Sequence, residues 1–598
     1  MRLDFATLRS LYESGEASPS DVIASVYDKI NGTVDPVWIS LVPREIALAR
    51  ARAMESDSAA RRKPLYGLPF AIKDNIDLAG LPTTAGCPAY SYTPVSDATA
   101  VRNLIEAGAI PLGKSNLDQF ATGLVGTRSP YGACSSVFDE RYISGGSSSG
   151  SAVAVASRLV SFALGTDTAG SGRVPAAFNN LIGLKPSRGL LSTIGVVPAC
   201  RTLDCVSILS SNCHDARTVW KAAKAFDSAD PYSRDIREGQ DAAPWAAGES
   251  FRFGVPSEDQ LQFFGDDAAA ALFRNAILEM EKLGGQKVEI EFSIFRAAAE
   301  LLYAGPWVAE RLAAIRPFFE ARGDEMNPIV REIIAGARRH TAVDAFKAAY
   351  RLENLRRAAS QEWSRMDVLI TPTTGTIYTH EEIETDPIGR NTNLGYYTNF
   401  VNLLDLAAVA APAGFRPNGL PFGISLIGPA FSDEALLIMA DRFHRARVDV
   451  PGSALCSGPV PPGCLAVAVV GAHLTGQPLN WQLTDRGARM LKSTRTAPCY
   501  RLYALGGTPA KPGLLREEGF DGPGIEVEIW AMPANEFGSF VAAIPPPLGI
   551  GSVTLEGGEV VKCFLCEPYA VAGAEEITKF GGWRNYLLVA TARQAIIR

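Results

Sequence analysis

The sequence predicts an α/β protein: a large mixed β-sheet covered by helices, followed by a small, mostly-β domain of α+β type. Short apolar runs at 68–72, 109–112 and 160–164 alternate with stretches of helical periodicity, the pattern of a sheet with helices packed on its faces. A chain of 598 residues is too long for a single core and predicts more than one domain. The stretch 451–463, PGSALCSGPVPPG, is rich in Pro, Gly and Ser, lacks any period and reads as a linker.

Taken in order, Ser18-Pro19-Ser20-Asp21 is a helix start with proline in the first turn, and Val22, Ile23, Val26, Tyr27 and Ile30 follow at helical spacing. The apolar runs from about Tyr66 onward supply sheet strands. A long helical region is expected over 266–365, with Leu272, Ile277, Met280, Leu301, Leu302, Val308 and Leu312 among charges. Strand-like runs at 368–370 and 424–427 return the chain to the sheet, and the first domain is expected to span 1–450. Beyond the linker, runs at 465–470, 500–504, 525–532 and 559–565 are β-like between Gly- and Pro-bearing turns, giving a second domain over 464–598.

An apolar fraction of 47% and a charged fraction of 20% allow a large buried core. The net charge of -7 leaves no basic excess to neutralise phosphates, which argues against a nucleic-acid or anionic-membrane partner and for a small-molecule substrate. Asp4, Glu13, Glu16 and Asp21 interrupt any apolar run near the start, so no signal peptide is expected and the protein is expected to be cytoplasmic. Ten cysteines in so long a chain read as reduced thiols; Cys563 and Cys566 form a C-x-x-C whose bland reading is an ordinary strand position, with no metal expected.

Three segments carry chemistry. Gly145-Gly146-Ser147-Ser148-Ser149-Gly150-Ser151 runs directly into the apolar helix former Ala152-Val153-Ala154-Val155, placing hydroxyls and backbone N–H groups at a helix start. A flexible Gly/Ser linker is the alternative, but linkers do not usually join buried elements. Gly165-Thr166-Asp167-Thr168-Ala169-Gly170-Ser171-Gly172-Arg173 follows an apolar run and can present Ser171 beside consecutive N–H donors, as an oxyanion hole requires. Lys73 ends the apolar strand Leu68-Pro69-Phe70-Ala71-Ile72. Desolvation lowers an ammonium pKa, so a buried lysine can stand neutral and serve as a base, although a strand-end lysine is more often ion-paired.

Two look-alikes are set aside. Gly108-Ala109-Ile110-Pro111-Leu112-Gly113-Lys114-Ser115 fits the phosphate-loop pattern, but its interior is strand-like and it follows a helix. Gly146-Ser147-Ser148-Ser149-Gly150 fits a nucleophile elbow centred on Ser148, but that mechanism needs a histidine, and none of His214, His340, His380, His444 and His473 sits in a recognisable catalytic loop.

In order and spacing, the three segments resemble the amidase-signature family over about residues 1–450. The resemblance implies a Lys-Ser-Ser relay: Lys73 as base, Ser147 passing the proton through a cis peptide, and Ser171 as nucleophile forming an acyl-enzyme. It assigns the oxyanion donors to the backbone N–H groups of Thr168, Ala169, Gly170 and Ser171, places Gly123 in the substrate pocket, and requires no cofactor.

Two further stretches narrow the resemblance to allophanate hydrolases. Leu301-Leu302-Tyr303-Ala304-Gly305-Pro306-Trp307-Val308-Ala309-Glu310-Arg311 is similar to a segment in which Tyr303 and Arg311 would bind a substrate carboxylate; its bland reading is an amphipathic helix entry. The second domain resembles the extra domain of the same enzymes, related in fold to γ-glutamylcyclotransferases, through Val469-Val470-Gly471-Ala472-His473-Leu474, 500–505 and 544–551. The implied reaction is hydrolysis of allophanate to ammonia and carbon dioxide or bicarbonate, the second step of ATP-dependent urea breakdown. The implied partners are the small-molecule substrate, a second copy in a homodimer, and functional coupling to a separate biotin-dependent urea carboxylase. The alternatives are another hydrolase of a small carboxylated amide and an ammonia-donating amidotransferase subunit. His473 is either an acid–base group of a second site or a hydrogen-bonded structural histidine.

Overall fold

The helix expected at Ser18 runs Pro19–Asn31 in the computed structural model, opened by a reciprocal cap in which Ser18 accepts from the Asp21 N–H and Asp21 accepts from the Ser18 N–H. Val22, Ile23, Val26, Tyr27 and Ile30 all point into the core. The structure describes residues 3–33, 35–236, 244–246, 250–448, 460, 463–475, 477–506 and 510–587. The chain divides into two compact units, one of Leu3–Arg416 with Leu420–Arg445 and one built chiefly of Ala446–Arg598. The expected linker at 451–463 lies outside the described residues apart from Val460 and Gly463.

The first unit is organised by an 11-stranded sheet. Its strands are β1 (Trp38–Leu41), β2 (Pro69–Lys73), β3 (Ile110–Ser115), β4 (Phe162–Asp167), β5 (Ile182–Lys185), β6 (Cys205–Ser210), β7 (Phe251–Pro256), β8 (Gly285–Ile290), β9 (Val368–Pro372), β10 (Leu406–Phe415) and β11 (Pro421–Pro429). Their order in space is β1-β3-β2-β4-β6-β5-β10-β11-β9-β7-β8. Pairing is mixed: β2 runs parallel to both β3 and β4, whereas β4–β6, β5–β6, β5–β10 and β10–β11 are antiparallel. Strands β2, β4, β5, β6 and β9 are buried at every position, which explains why they read as unbroken apolar runs instead of alternating ones. The shared parallel direction of β2 and β4 brings their C-terminal ends side by side, the usual place for a site in an α/β sheet.

One expectation is corrected. The region 266–365 is not helical throughout: β8 interrupts it between the helices Asp267–Lys282 and Ser293–Tyr303. Gly284, at φ +95°, ends the first helix in a backbone region that favours glycine. The chain then pairs in parallel with β7 as the last strand of the sheet. As an edge strand it is only partly buried and keeps Lys287 and Glu289, so its charges resemble those of a solvated helix face. The helices Val308–Arg322, Pro328–Ala335 and Ala342–Trp363 complete the segment.

The second unit contains a five-stranded sheet ordered β13-β16-β12-β18-β17 and a smaller sheet including β14 and β15. Here β12 is Cys464–Val469, β13 Arg489–Arg495, β14 Tyr500–Leu505, β15 Lys511–Arg516, β16 Glu526–Pro533, β17 Leu548–Thr554 and β18 Val560–Cys566, with one helix of any length, Ala534–Ala542, among the described residues. It has its own apolar core, including Val467, Val469, Leu502, Ile529 and Trp530. Cys563 and Cys566 lie on β18 as buried free thiols, and burial pushes the Cys563 thiol up to about 12. Among the described residues no helix is long and apolar enough to cross a membrane.

Candidate active site

Lys73 is the last residue of β2 and is wholly buried. Its Nζ lies 2.7 Å from Ser147 Oγ and 2.7 Å from Thr166 Oγ1, the latter near the end of the neighbouring β4. Burial pushes the lysine down to about 7, against the pull of Asp118, Asp167 and Asp204, which brings its neutral, basic form within reach at neutral pH. Asn75 adds a second donor to Thr166 Oγ1 at 3.3 Å. Lys114 of the phosphate-loop look-alike is instead a buried strand residue, 3.1 Å from Asp74 and donating to Thr83 at 2.8 Å.

The Gly146–Ser147 peptide is cis. A side chain at Gly146 would put a carbon 2.6 Å from Gly126 N, so the position admits only glycine. The helix Ser149–Ala156 begins immediately afterwards. Ser148, centre of the elbow look-alike, is occupied structurally: its Oγ donates to Thr166 O at 3.2 Å and accepts from Thr166 N at 3.3 Å.

Ser171 lies in the loop that leaves β4. Ser148 N donates to Ser171 O at 3.2 Å, tying this loop to the segment carrying Ser147, and Ser171 Oγ donates to Gly123 O at 3.4 Å. Asp167 organises the loop from below. Its carboxylate accepts from Gly170 N at 2.8 Å, Gly172 N at 3.1 Å and the Arg173 guanidinium at 2.9 Å through both Nε and Nη2. Burial alone would raise Asp167, but Arg173 outweighs it and holds the carboxyl below its ordinary value. The Gly170 N–H, expected among the oxyanion donors, is therefore given to Asp167. Among the described residues the N–H groups of Thr168, Ala169 and Ser171 have no acceptor.

Arg311 sits in the helix Val308–Arg322, and Tyr303 ends the helix before it. The two meet: Arg311 Nη2 donates to Tyr303 Oη at 3.2 Å. Arg311 Nη1 donates to Thr122 Oγ1 at 2.9 Å and Ala121 O at 3.3 Å. Thr122 adjoins Gly123, whose carbonyl receives the Ser171 hydroxyl, so the guanidinium and that hydroxyl border the same turn. Phe120 and Ala121 both take φ of +51° there, and Gly123 takes +155°. A side chain at Gly123 would meet Asp118 Oδ2 at 2.8 Å and Arg128 Nη1 at 3.2 Å. Arg311 is 3% exposed, yet among the described residues no carboxylate lies within ion-pair distance of it. Burial works against its charge, but the fields of Tyr303, Cys200, Asp204 and Glu310 outweigh burial and hold the guanidinium above its ordinary value, so it stays charged without a contact ion pair and can take an anionic group.

Sequence reasoning missed Thr166, Asn75, Asp118, Asp167, Arg128 and Arg173 as parts of this site. Only Asp167 carried a local signal, an aspartate followed at the third position by glycine in a loop, the spacing of a side chain bending back to a backbone N–H.

In the second unit His473 is half-buried, stacked on Phe564 with ring centroids 4.7 Å apart, and its Nε2 is 2.9 Å from Gln482 Oε1. Burial lowers its pKa. With Gln482, Lys511, Pro512 and Phe564 it borders a cavity of about 160 Å³.

Comparison with known proteins covers both units. Residues 21–437 match the amidase family and residues 465–588 match the allophanate hydrolase C-terminal domain. The urea amidolyase of Saccharomyces cerevisiae is 43% identical over 593 residues, covering 94% of this chain but 32% of that protein. The chain thus spans about a third of the length of the urea amidolyases it matches. The structure of Kluyveromyces lactis allophanate hydrolase is similar with a TM-score of 0.70 at 42% identity, covering 97% of this chain and 98% of that one. A glutamyl-tRNA(Gln) amidotransferase subunit of Streptococcus thermophilus is 31% identical over 475 residues, covering 73% of this chain and 94% of that protein. Because the match over 21–437 spans well over half of the chain, the chain belongs to the amidase family, and it carries an allophanate hydrolase C-terminal domain.

Proposed function

We propose that the chain hydrolyses allophanate through a Ser171 acyl-enzyme, with Lys73 and Ser147 as its proton relay. The observation that carries this reading is the shared turn: Arg311, unpaired and buried, holds Thr122, while the next residue, Gly123, receives the Ser171 hydroxyl. A substrate carboxylate on Arg311 and Tyr303 would thereby set the terminal amide of allophanate against Ser171.

Neutral Lys73 gives an N–H to Thr166 and turns its lone pair toward the Ser147 hydroxyl. Ser147 passes its proton to Lys73 and takes the proton of Ser171 as Ser171 Oγ bonds to the amide carbon. Negative charge develops on the carbonyl oxygen, where the N–H groups of Thr168, Ala169 and Ser171 receive it. The C–N bond then breaks, the lysine proton returns through Ser147 to the nitrogen, and ammonia leaves. Water repeats the route and releases the acyl group as a doubly carboxylated amine, which breaks down to carbon dioxide and ammonia. No cofactor enters these steps.

The alternative of an ammonia donor to a transferase rests on the 31% relative, but Arg311 and the second unit favour hydrolysis. The reading also includes a cytoplasmic homodimer coupled functionally to a biotin-dependent urea carboxylase, and it admits the His473 cavity as a second site. Ammonia release from allophanate by the purified protein, compared with Ser171→Ala, tests the main reaction: equal rates in the two proteins would reject it.

A further inference from the structure

Asp204 is the residue before β6, and the register that pairs Asp167 with Cys205 sets it beside Thr168, the first residue of the Ser171 loop. It is 7% exposed, and among the described residues no cation lies within ion-pair distance. Oδ1 accepts from Thr168 Oγ1 at 2.5 Å and Cys200 N at 3.1 Å, while Oδ2 accepts from Ala199 N at 2.9 Å. The carboxylate thus closes the turn 199–204, which Leu203 N and Asp204 N brace further by donating to Cys200 O at 2.8 and 2.9 Å. The opposite side of the turn is fastened elsewhere. Thr202 gives its N–H to Glu310 Oε2 at 2.9 Å and its hydroxyl to Glu310 Oε1 at 2.5 Å, and Glu310 precedes Arg311 in the chain. Cys200 Sγ lies 3.6 Å from Trp307 O in the same helix entry.

One turn therefore holds the helix that carries Arg311 with one side and the loop that carries the oxyanion donors with the other. We propose that Asp204 is a positioning residue: through Thr168 it fixes the oxyanion loop, and through the 199–204 turn and Glu310 it couples that loop to Arg311. This rests on the proposed Ser171 mechanism. A carboxylate near a developing oxyanion opposes the reaction by charge repulsion, and its field on Lys73 acts on the base and not on the loop, so what Asp204 gives the oxyanion donors is the geometry it imposes. Donors to an oxyanion act only where they are already aligned, and a displacement of about 1 Å can lower turnover on the order of a hundredfold.

The test uses the full chain with Thr168→Val, Thr168→Ser, Asp204→Asn and the Thr168→Val/Asp204→Asn double variant, each assayed on allophanate and on propionamide. Thr168→Val should lower kcat roughly ten- to a hundredfold with KM within about twofold, a split that simple loss of folded protein does not predict once active sites are titrated. Thr168→Ser, which restores the hydroxyl, should recover most of the rate. The double variant should lose no more than the worse single one, because both remove the same bond. For the coupling, Thr202→Val should lower kcat on allophanate more than on propionamide. Full kcat in Thr168→Val, losses that multiply in the double variant, or equal losses on both amides in Thr202→Val would overturn the proposal. If Asp204→Asn does not fold, the Thr168 and Thr202 variants decide it. Labelling of Ser171 by a fluorophosphonate separates the two levels: an unlabelled, active wild type rejects the Ser171 mechanism itself, whereas stoichiometric labelling with an unaffected Thr168→Val rejects only the role of Asp204.

Discussion

Replacing Arg311 by lysine keeps the positive charge and removes the planar fork. In the structure that fork already serves three oxygens, Thr122 Oγ1 at 2.9 Å, Tyr303 Oη at 3.2 Å and Ala121 O at 3.3 Å, and still has N–H groups to offer an incoming carboxylate. An ammonium has three donors and no fixed plane, so it cannot hold the turn and grip a carboxylate side by side. Loss of a buried charge-assisted contact that leaves its partner unpaired costs about 2 to 5 kcal/mol. At about 1.4 kcal/mol per factor of ten, kcat/KM for allophanate should fall by roughly thirty- to several-thousandfold. Tyr303→Phe removes one hydrogen bond to a charged group, about 1.5 to 3 kcal/mol, and should cost roughly ten- to a hundredfold. Propionamide never engages the carboxylate site and should lose far less with either variant. The assay is steady-state ammonia release on both substrates with matched active-site titration. Equal losses on the two substrates would show that Arg311 supports the Thr122 turn without reading a carboxylate.

Three other outcomes follow from the same geometry. Ser171→Ala should abolish acyl-enzyme formation, and Lys73→Ala or Ser147→Ala should each lower turnover by orders of magnitude with thermal melting little changed; more than about a tenth of wild-type activity in Ser171→Ala would reject the assignment. Because burial depresses Lys73 from the ordinary lysine range to about 7, its neutral, basic form accumulates as pH rises through that value; kcat/KM should climb about tenfold per pH unit below about 7 and level off above it, and a flat profile from about pH 5.5 to 8.5 would contradict the base role. A chain ended after Val448 keeps the whole core of the first unit and should still release ammonia from allophanate, so a folded but inert protein of that length would show that the second unit takes part in the first reaction.

The residues legible in the sequence are those whose chemistry has a local signature. Lys73 ends a run of apolar residues, and Ser147 and Ser171 each sit in a glycine-rich stretch between buried elements, so composition flags the stretches while the resemblance to the amidase-signature family picks the three residues out of them. Thr166, Asp118, Asp204 and Arg128 are invisible at that level, because what makes them matter is proximity across tens or hundreds of positions: Arg128 donates to Pro387 O and Thr166 accepts from Lys73. The Gly170 N–H shows the limit from the other side. Four consecutive N–H groups in a loop look equivalent in sequence, and only the backward bend of Asp167 decides that one of them is spent. Strand β8 was obscured for a related reason, since a strand covered on one edge alone can carry charges and so imitates a solvated helix.

The placement of Tyr303 and Arg311 has a consequence for how such an enzyme changes its diet. Both lie on helices spliced between β8 and β9, whereas Lys73, Ser147 and Ser171 come from β2, β4 and the loops beside them. Under the proposed mechanism, chemistry and taste fall on separate stretches of chain, so a new substrate could be acquired by rewriting these helices while the sheet that carries the relay stays unchanged. The grip of Glu310 on Thr202 is a seam between the two stretches, and a transplanted insertion that neglects it would bring a new pocket to a loop no longer held in register.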